Sequence, residues 1–146
     1  MKSLFADIFE YHHYFNQKLA DQLFEHKNIL PDRTIPLFCH TVNAHQIWNA
    51  RILNKEAMSV NDVHELADVK KIDSSNYDNT LTILKEKVLQ TNIKYKNSKG
   101  TSFENTINQI LFHISNHFSH HKGQIISDIR QSGLKPMITD YIFYKR

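Results

Sequence analysis

The sequence predicts an all-α protein, a four-helix bundle with a longer crossover connection between its second and third helices. Three observations carry that prediction. Only three Gly and three Pro punctuate 146 residues, so the elements must be long and the turns few. Apolar residues recur at intervals of three and four in four separate stretches, which is the repeat of one helix face. Hydrophobic residues make up 40% of the chain and charged residues 23%, a globular composition. The length suits one domain, residues 1–146, able to bury a core without staples.

The first helix runs from Ser3, a plausible N-cap, to about Glu25, with Leu4, Phe5, Ile8, Phe9, Tyr11, Phe15, Leu19, Leu23 and Phe24 in its pattern. Pro31 and Asp32 mark the first turn. The second helix spans about Ile35 to Leu53, with Pro36 in its first turn, where a missing amide hydrogen costs little. It is apolar on more than one side, which places it deep in the bundle. Residues 54–75 break the pattern and read as the crossover, with one short helix around Asn61–Ala67. The third helix follows over about Asn76 to Tyr95, carried by Tyr77, Leu81, Leu84, Val88 and Ile93, and a turn closes at Gly100. The fourth helix begins at Thr101 or Ser102, with Ser102 and Asn105 as cap candidates, and stops near Gly133 with Pro136 beyond. The tail from Met137 carries Ile138, Tyr141, Ile142 and Phe143 and should pack back on the helices.

Composition also excludes functions. The formal net charge is +3, with lysines dispersed and no basic stripe interleaved with aromatics, so no nucleic-acid partner is expected. The N-terminal stretch carries Asp7, Glu10 and two histidines within its apolar pattern, which fits neither a signal peptide nor a membrane span. A cytoplasmic protein without a membrane partner is the expectation. The single cysteine, Cys39, rules out an internal disulfide and is expected to be a buried, inert thiol. A Ser-His-Asp triad has no support, because no GxSxG elbow is present.

Chemistry enters with the fourth helix. Its apolar series Ile107, Ile110, Leu111, Ile114, Phe118, Ile125 and Ile129, continued through the gap, should place apolar side chains at 117, 118 and 121. Two of these are histidines. His117 and His121 stand one turn apart on one face, so their rings can converge as the two histidines of HExxH do on a metal. A single histidine on such a face is more often a hydrogen-bonded core residue, so a third ligand from another helix has to decide. The second helix offers His40 or His45, about 140° apart around the axis. His40 shares its face with Ala44, Ile47 and Arg51, and His45 lies nearer Phe38, Val42 and Asn49. Periodicity does not choose between them.

Four stretches in order resemble the DinB family, with a DinB/YfiT-like four-helix bundle implied. Tyr11, His12, Tyr14 and Asn16 are similar to that family's YNxWxN opening, with Tyr14 in the tryptophan place. The segment HTVNAHQIWNARIL resembles its second-helix motif, and HISNHFSHHKGQI resembles its HxxNHxxHHRGQI block, with Lys122 where Arg is usual. The ending GLKPMITDYIFYKR is similar to its closing GxxPxxxDxIxxxR segment. The resemblance implies a divalent metal, zinc or nickel, held by His40, His117 and His121, and a homodimer. It also implies, from some relatives, transfer of a low-molecular-weight thiol to a small electrophile; hydrolysis of a small-molecule substrate is the neighbouring expectation, and a non-catalytic, metal-stabilised dimeric binding or stress-response protein is the alternative.

Three neutral imidazoles leave an open coordination position, the arrangement of catalytic rather than closed structural zinc. Imidazole suits nickel equally. Gln124 and Asn116 flank the pair as second ring partners, and no residue is assigned as acid, base or nucleophile. His113 is expected to line the pocket or pack nearby, and His120 to face the surface. His12 and His13 are expected to pack or be exposed, and His26 and His64 to be solvated.

Overall fold

The computed structural model describes residues 1–146. Four long helices dominate it: α1 (Lys2–His26), α2 (Thr34–Leu53), α3 (Leu66–Glu86) and α4 (Ile107–Gln131). A hairpin of β1 (Asn92–Lys96) and β2 (Ser102–Thr106) stands between α3 and α4, and a single helical turn, α5 (Tyr141–Tyr144), ends the chain. The protein is therefore mostly helical with a small two-stranded sheet, not all-α as its composition predicts. No helix is long and apolar enough to cross a membrane.

α1 packs along α3 and more lightly on α4, while α2 packs on both α3 and α4. The core has two parts. One, around Phe9, Ile83, Ile110 and Phe118, lies toward the hairpin; the other gathers Leu23, Phe38, Val42 and Ile129. Between them run buried polar groups. Asp73 accepts hydrogen bonds from Asn16 (2.7 Å) and Gln17 (2.8 Å) and meets His13 Nδ1 at 2.6 Å. Asn76 donates to the Val42 carbonyl at 3.0 Å.

Those polar groups explain the largest correction. α3 starts at Leu66, ten residues before the expected Asn76, and no separate helix forms around 61–67. Its buried face reads Leu66, Val69, Asp73, Asn76, Thr80, Ile83 and Leu84, a correct helical spacing in which three members are polar. An apolar count cannot see such a face, because burial there depends on partners supplied by α1 and α2. The far end is also moved: α3 stops at Glu86, and residues 92–96, Asn-Ile-Lys-Tyr-Lys, alternate exposed and half-buried in the period of a strand. Tyr95 pairs opposite Phe103, and its hydroxyl donates to Asn105 Oδ1 at 2.8 Å. At the hairpin tip Asn97 Oδ1 accepts the Lys99 and Thr101 amides, and Gly100 takes the left-handed conformation at φ 79°.

α4 begins at Ile107 rather than at Thr101 or Ser102. Its cap is Thr106, in a reciprocal capping box with Gln109, so the last residue of β2 is also the helix start signal. The tail packs back as expected. Tyr11 donates to the Thr139 carbonyl at 2.5 Å, Gln22 to that of Lys135 at 3.0 Å, and Asp7 pairs with Tyr141 and Lys145.

Candidate metal centre

The packing of α2 on α4 sets the site. His40 leaves α2 toward α4, where His117 and His121 stand one turn apart. Their Nε2 atoms converge: His117 Nε2 lies 3.2 Å from that of His40 and 3.1 Å from that of His121. Ring centroids are 5.1 Å apart for His40 with either partner and 4.4 Å apart for His117 with His121. One ligand atom from each of the three lies within 4.8 Å of the others. All three rings are half-buried, with one side toward solvent.

The protonation chemistry of this trio is unusual. His121 Nδ1 lies 2.6 Å from Gln124 Oε1, an oxygen that can only accept, so Nδ1 carries the proton and Nε2 presents a lone pair to the centre. Burial, then the neighbouring His121 and His40, depress the His117 pKa to about 4. Burial first, then His121, lowers that of His40, against a smaller opposing effect of the Val60 backbone. Each Nε2···Nε2 approach is close enough for a ring N–H to donate to its neighbour's lone pair, or for the nitrogen atoms to share a cation. Three imidazole nitrogens with no carboxylate among them are the donor set that zinc, nickel or a similar divalent cation accepts, so the residues fit such an ion.

The two histidines of α2 part company here. His45 points into the core, 3% exposed, with Nε2 2.8 Å from Thr80 Oγ1 and its ring against Phe9 and Phe118. Burial lowers its pKa to about 4 as well, yet its hydrogen-bond partner is the Thr80 hydroxyl rather than another imidazole. Gln124 is the ring partner that its place on the helix suggested, whereas Asn116 is exposed and bonds to no ring.

The remaining histidines divide cleanly. His113 stands between Trp48 and His117, with ring centroids at 5.4 and 5.8 Å, and lines the approach. His120 is exposed and touches only the edge of His121. His12 is buried, stacked on Phe118, with Nε2 3.2 Å from Ser115 Oγ. His64 is not simply solvated: its Nε2 meets Asn43 Oδ1 at 2.9 Å, pinning the crossover to α2. Cys39 is fully buried, and burial raises its thiol pKa, as expected of an inert thiol. Lys122 is buried, donates to the Tyr11 hydroxyl at 2.5 Å and lies over that ring; burial lowers its pKa to about 8.

A mostly helical protein in which two helices turn three imidazoles toward one another is a histidine-cluster fold. By comparison with known families the chain belongs to the DinB family, which matches residues 10–146. Protein DinB of Bacillus subtilis (strain 168) is 27% identical over 90 residues, covering 62% of this chain and 51% of that protein. The chain thus spans about half the length of this curated relative.

Proposed function

We propose that this chain is a metal-dependent enzyme of the DinB type, a bundle protein that holds a divalent ion through His40, His117 and His121. The reaction is transfer of a low-molecular-weight thiol to a small electrophile, with hydrolysis as the neighbouring possibility within the same chemistry. The convergence of three ring nitrogens from two helices, without a fourth side-chain ligand, is the observation that supports it. A divalent ion in such a place supplies the Lewis acidity that keeps a thiol ionised, or acidifies a water, near neutral pH.

The chain's own residues do the rest. Gln124 fixes the His121 tautomer by accepting the Nδ1 proton, and the Val60 backbone steadies His40. The half-burial of the rings leaves one side of the cluster open, so a substrate can reach it. A homodimer belongs to the same proposal, and exposed Leu4 and Phe112 supply apolar surface for it.

The test is metal analysis under native mass spectrometry of protein purified without chelator, followed by a thiol and electrophile screen. One bound ion per chain, lost in His117→Ala and His121→Ala but kept in His120→Ala, is the expected result. Protein that binds no ion, or all three variants behaving alike, would overturn the assignment. Metal retained without turnover of any thiol or electrophile would instead favour the non-catalytic, metal-stabilised reading.

A further inference from the structure

The face of α2 that carries His40 continues as Ala44, Ile47 and Arg51, and beyond the histidines it forms the floor of a pocket of about 470 Å³. The hairpin supplies the facing wall through Tyr95 and Phe103, and the lining is predominantly apolar. No histidine lines the pocket, but two of its lining residues lead to the cluster. Val60, on its rim, is the residue whose backbone sits at His40, and Trp48, in its wall, meets His113, which in turn meets His117.

One charge stands in this apolar surround. The Arg51 guanidinium lies 4.3 Å from the centre of the Trp48 ring and 4.8 Å from that of Tyr95. Its polar contact in the fold is a long one, 3.4 Å from Nη2 to the Lys96 carbonyl. The chain's ion pairs are made by His13, His26, Arg33, Lys70, Lys71 and Lys145, so no carboxylate reaches Arg51. A guanidinium carries five N–H donors in a planar fork that matches a carboxylate. Stacking on two rings orients the fork and leaves most of those donors unspent, while partial burial makes an anion there worth more than on open surface.

We propose that the pocket binds a carboxylate-bearing small molecule, its acid group on Arg51 and its body between α2 and the hairpin, with the opposite end at the histidine cluster. Arg51 is then the residue that sets substrate class. The inference rests on the metal-site reading only for calling that molecule the substrate. Eleven residues of helix separate His40 from Arg51, about 16 Å of axis, and the Arg51 side chain leans back toward the N-terminus, so the bound molecule spans on the order of 10 Å.

Trp48 is the single tryptophan of the chain and lies in the pocket wall, so its fluorescence reports binding there directly. The experiment titrates the full chain with 4-phenylbutyrate and with its neutral counterpart 4-phenylbutanol. The acid should bind about tenfold or more tightly than the alcohol, the worth of one charge-assisted hydrogen-bonded pair. Arg51→Met should erase that preference while keeping alcohol binding, and Arg51→Lys should retain part of it. Should Arg51→Met lose both ligands, Arg51→Gln, closer in shape, decides by the same ratio. Equal affinities in the unmodified protein, a preference that survives both neutral variants, or no response to either compound at millimolar concentration overturns the proposal. Repeating the titration on chelated protein and on His117→Ala separates the two readings. An acid preference that persists there stands whether or not a metal binds, and a bound metal without that preference removes this inference alone.

Discussion

α2 carries two histidines five residues apart, and the structure gives them opposite fates. His40 meets two more imidazoles at a half-open surface, and His45 meets a hydroxyl and two phenyl rings in the core. Burial pushes both toward the neutral form. What separates them is what their nitrogen atoms face: Thr80 meets one His45 nitrogen, whereas in the cluster three ring nitrogens meet one another. A buried histidine alone does not mark a site, even one like His45 whose Nδ1 has no partner; ring nitrogens pointed at one another do.

The sharpest way to break this comparison is to test the proposed ion by chelation. A metal that binds only the folded form would, at a thousandfold excess over its dissociation constant, stabilise by roughly 4 kcal/mol, so chelation should lower the melting temperature clearly, and His117→Ala should be insensitive to chelator. A melting curve unmoved by chelator would leave the two histidines of α2 alike. On the core side, His45→Ala should cost roughly 3 kcal/mol, chiefly from the cavity beside Phe9 and Phe118, since Thr80 keeps its bonds to Asn76 and Asn49, with metal content unchanged. Denaturant unfolding together with metal analysis reads both, and loss of metal in this variant would show that the two regions are not separate.

The comparison is sharpened by smaller changes. Gln124→Ala removes the acceptor that sets the His121 tautomer and should weaken metal affinity about 10–100-fold, measured by competition with a chromophoric chelator, with little change in the stability of the metal-free protein. His13 supplies a third type of histidine, raised in pKa chiefly by its hydrogen bond to Asp73. A raised folded-state value means that its contribution is complete below the ordinary histidine value of about 6.5 and is lost as pH rises through the folded value. After solvent screening it amounts to less than about 1 kcal/mol. Stability measured against pH in the metal-free His117→Ala background should show this decline, and His13→Gln should flatten it.

Much of the helical fold was legible, and the reasons are local. α1, α2 and the body of α4 carry apolar stripes strong enough to read without partners. α3 does not, because Asp73, Asn76 and Thr80 occupy its inner face and are acceptable only beside Asn16, Gln17, Asn49 and His45. The hairpin was lost for a different reason: Ile93 extended a helical series that in fact ends earlier, while the alternation of Ile93 and Tyr95 among lysines and asparagine went uncounted. Of the site, the His117 and His121 pair could be read from spacing, and the choice of His40 over His45 could not, since both lie on apolar flanks of α2. The arginine pocket was invisible, because half its wall is the hairpin.

The junction at Thr106 has a further consequence. No linker separates β2 from α4, and the amides of Ile107 and Asn108 are stapled to the carbonyls of Thr91 and Leu89 just ahead of β1. The root of the hairpin is therefore clamped to the same rod that bears two of the three imidazoles, while its tip at Asn97 to Thr101 is held only by its own turn. Lengthening or recolouring that tip would refashion the rim of the cleft while the nitrogen cluster keeps its spacing, so the architecture separates a constant histidine cluster from an exchangeable visor.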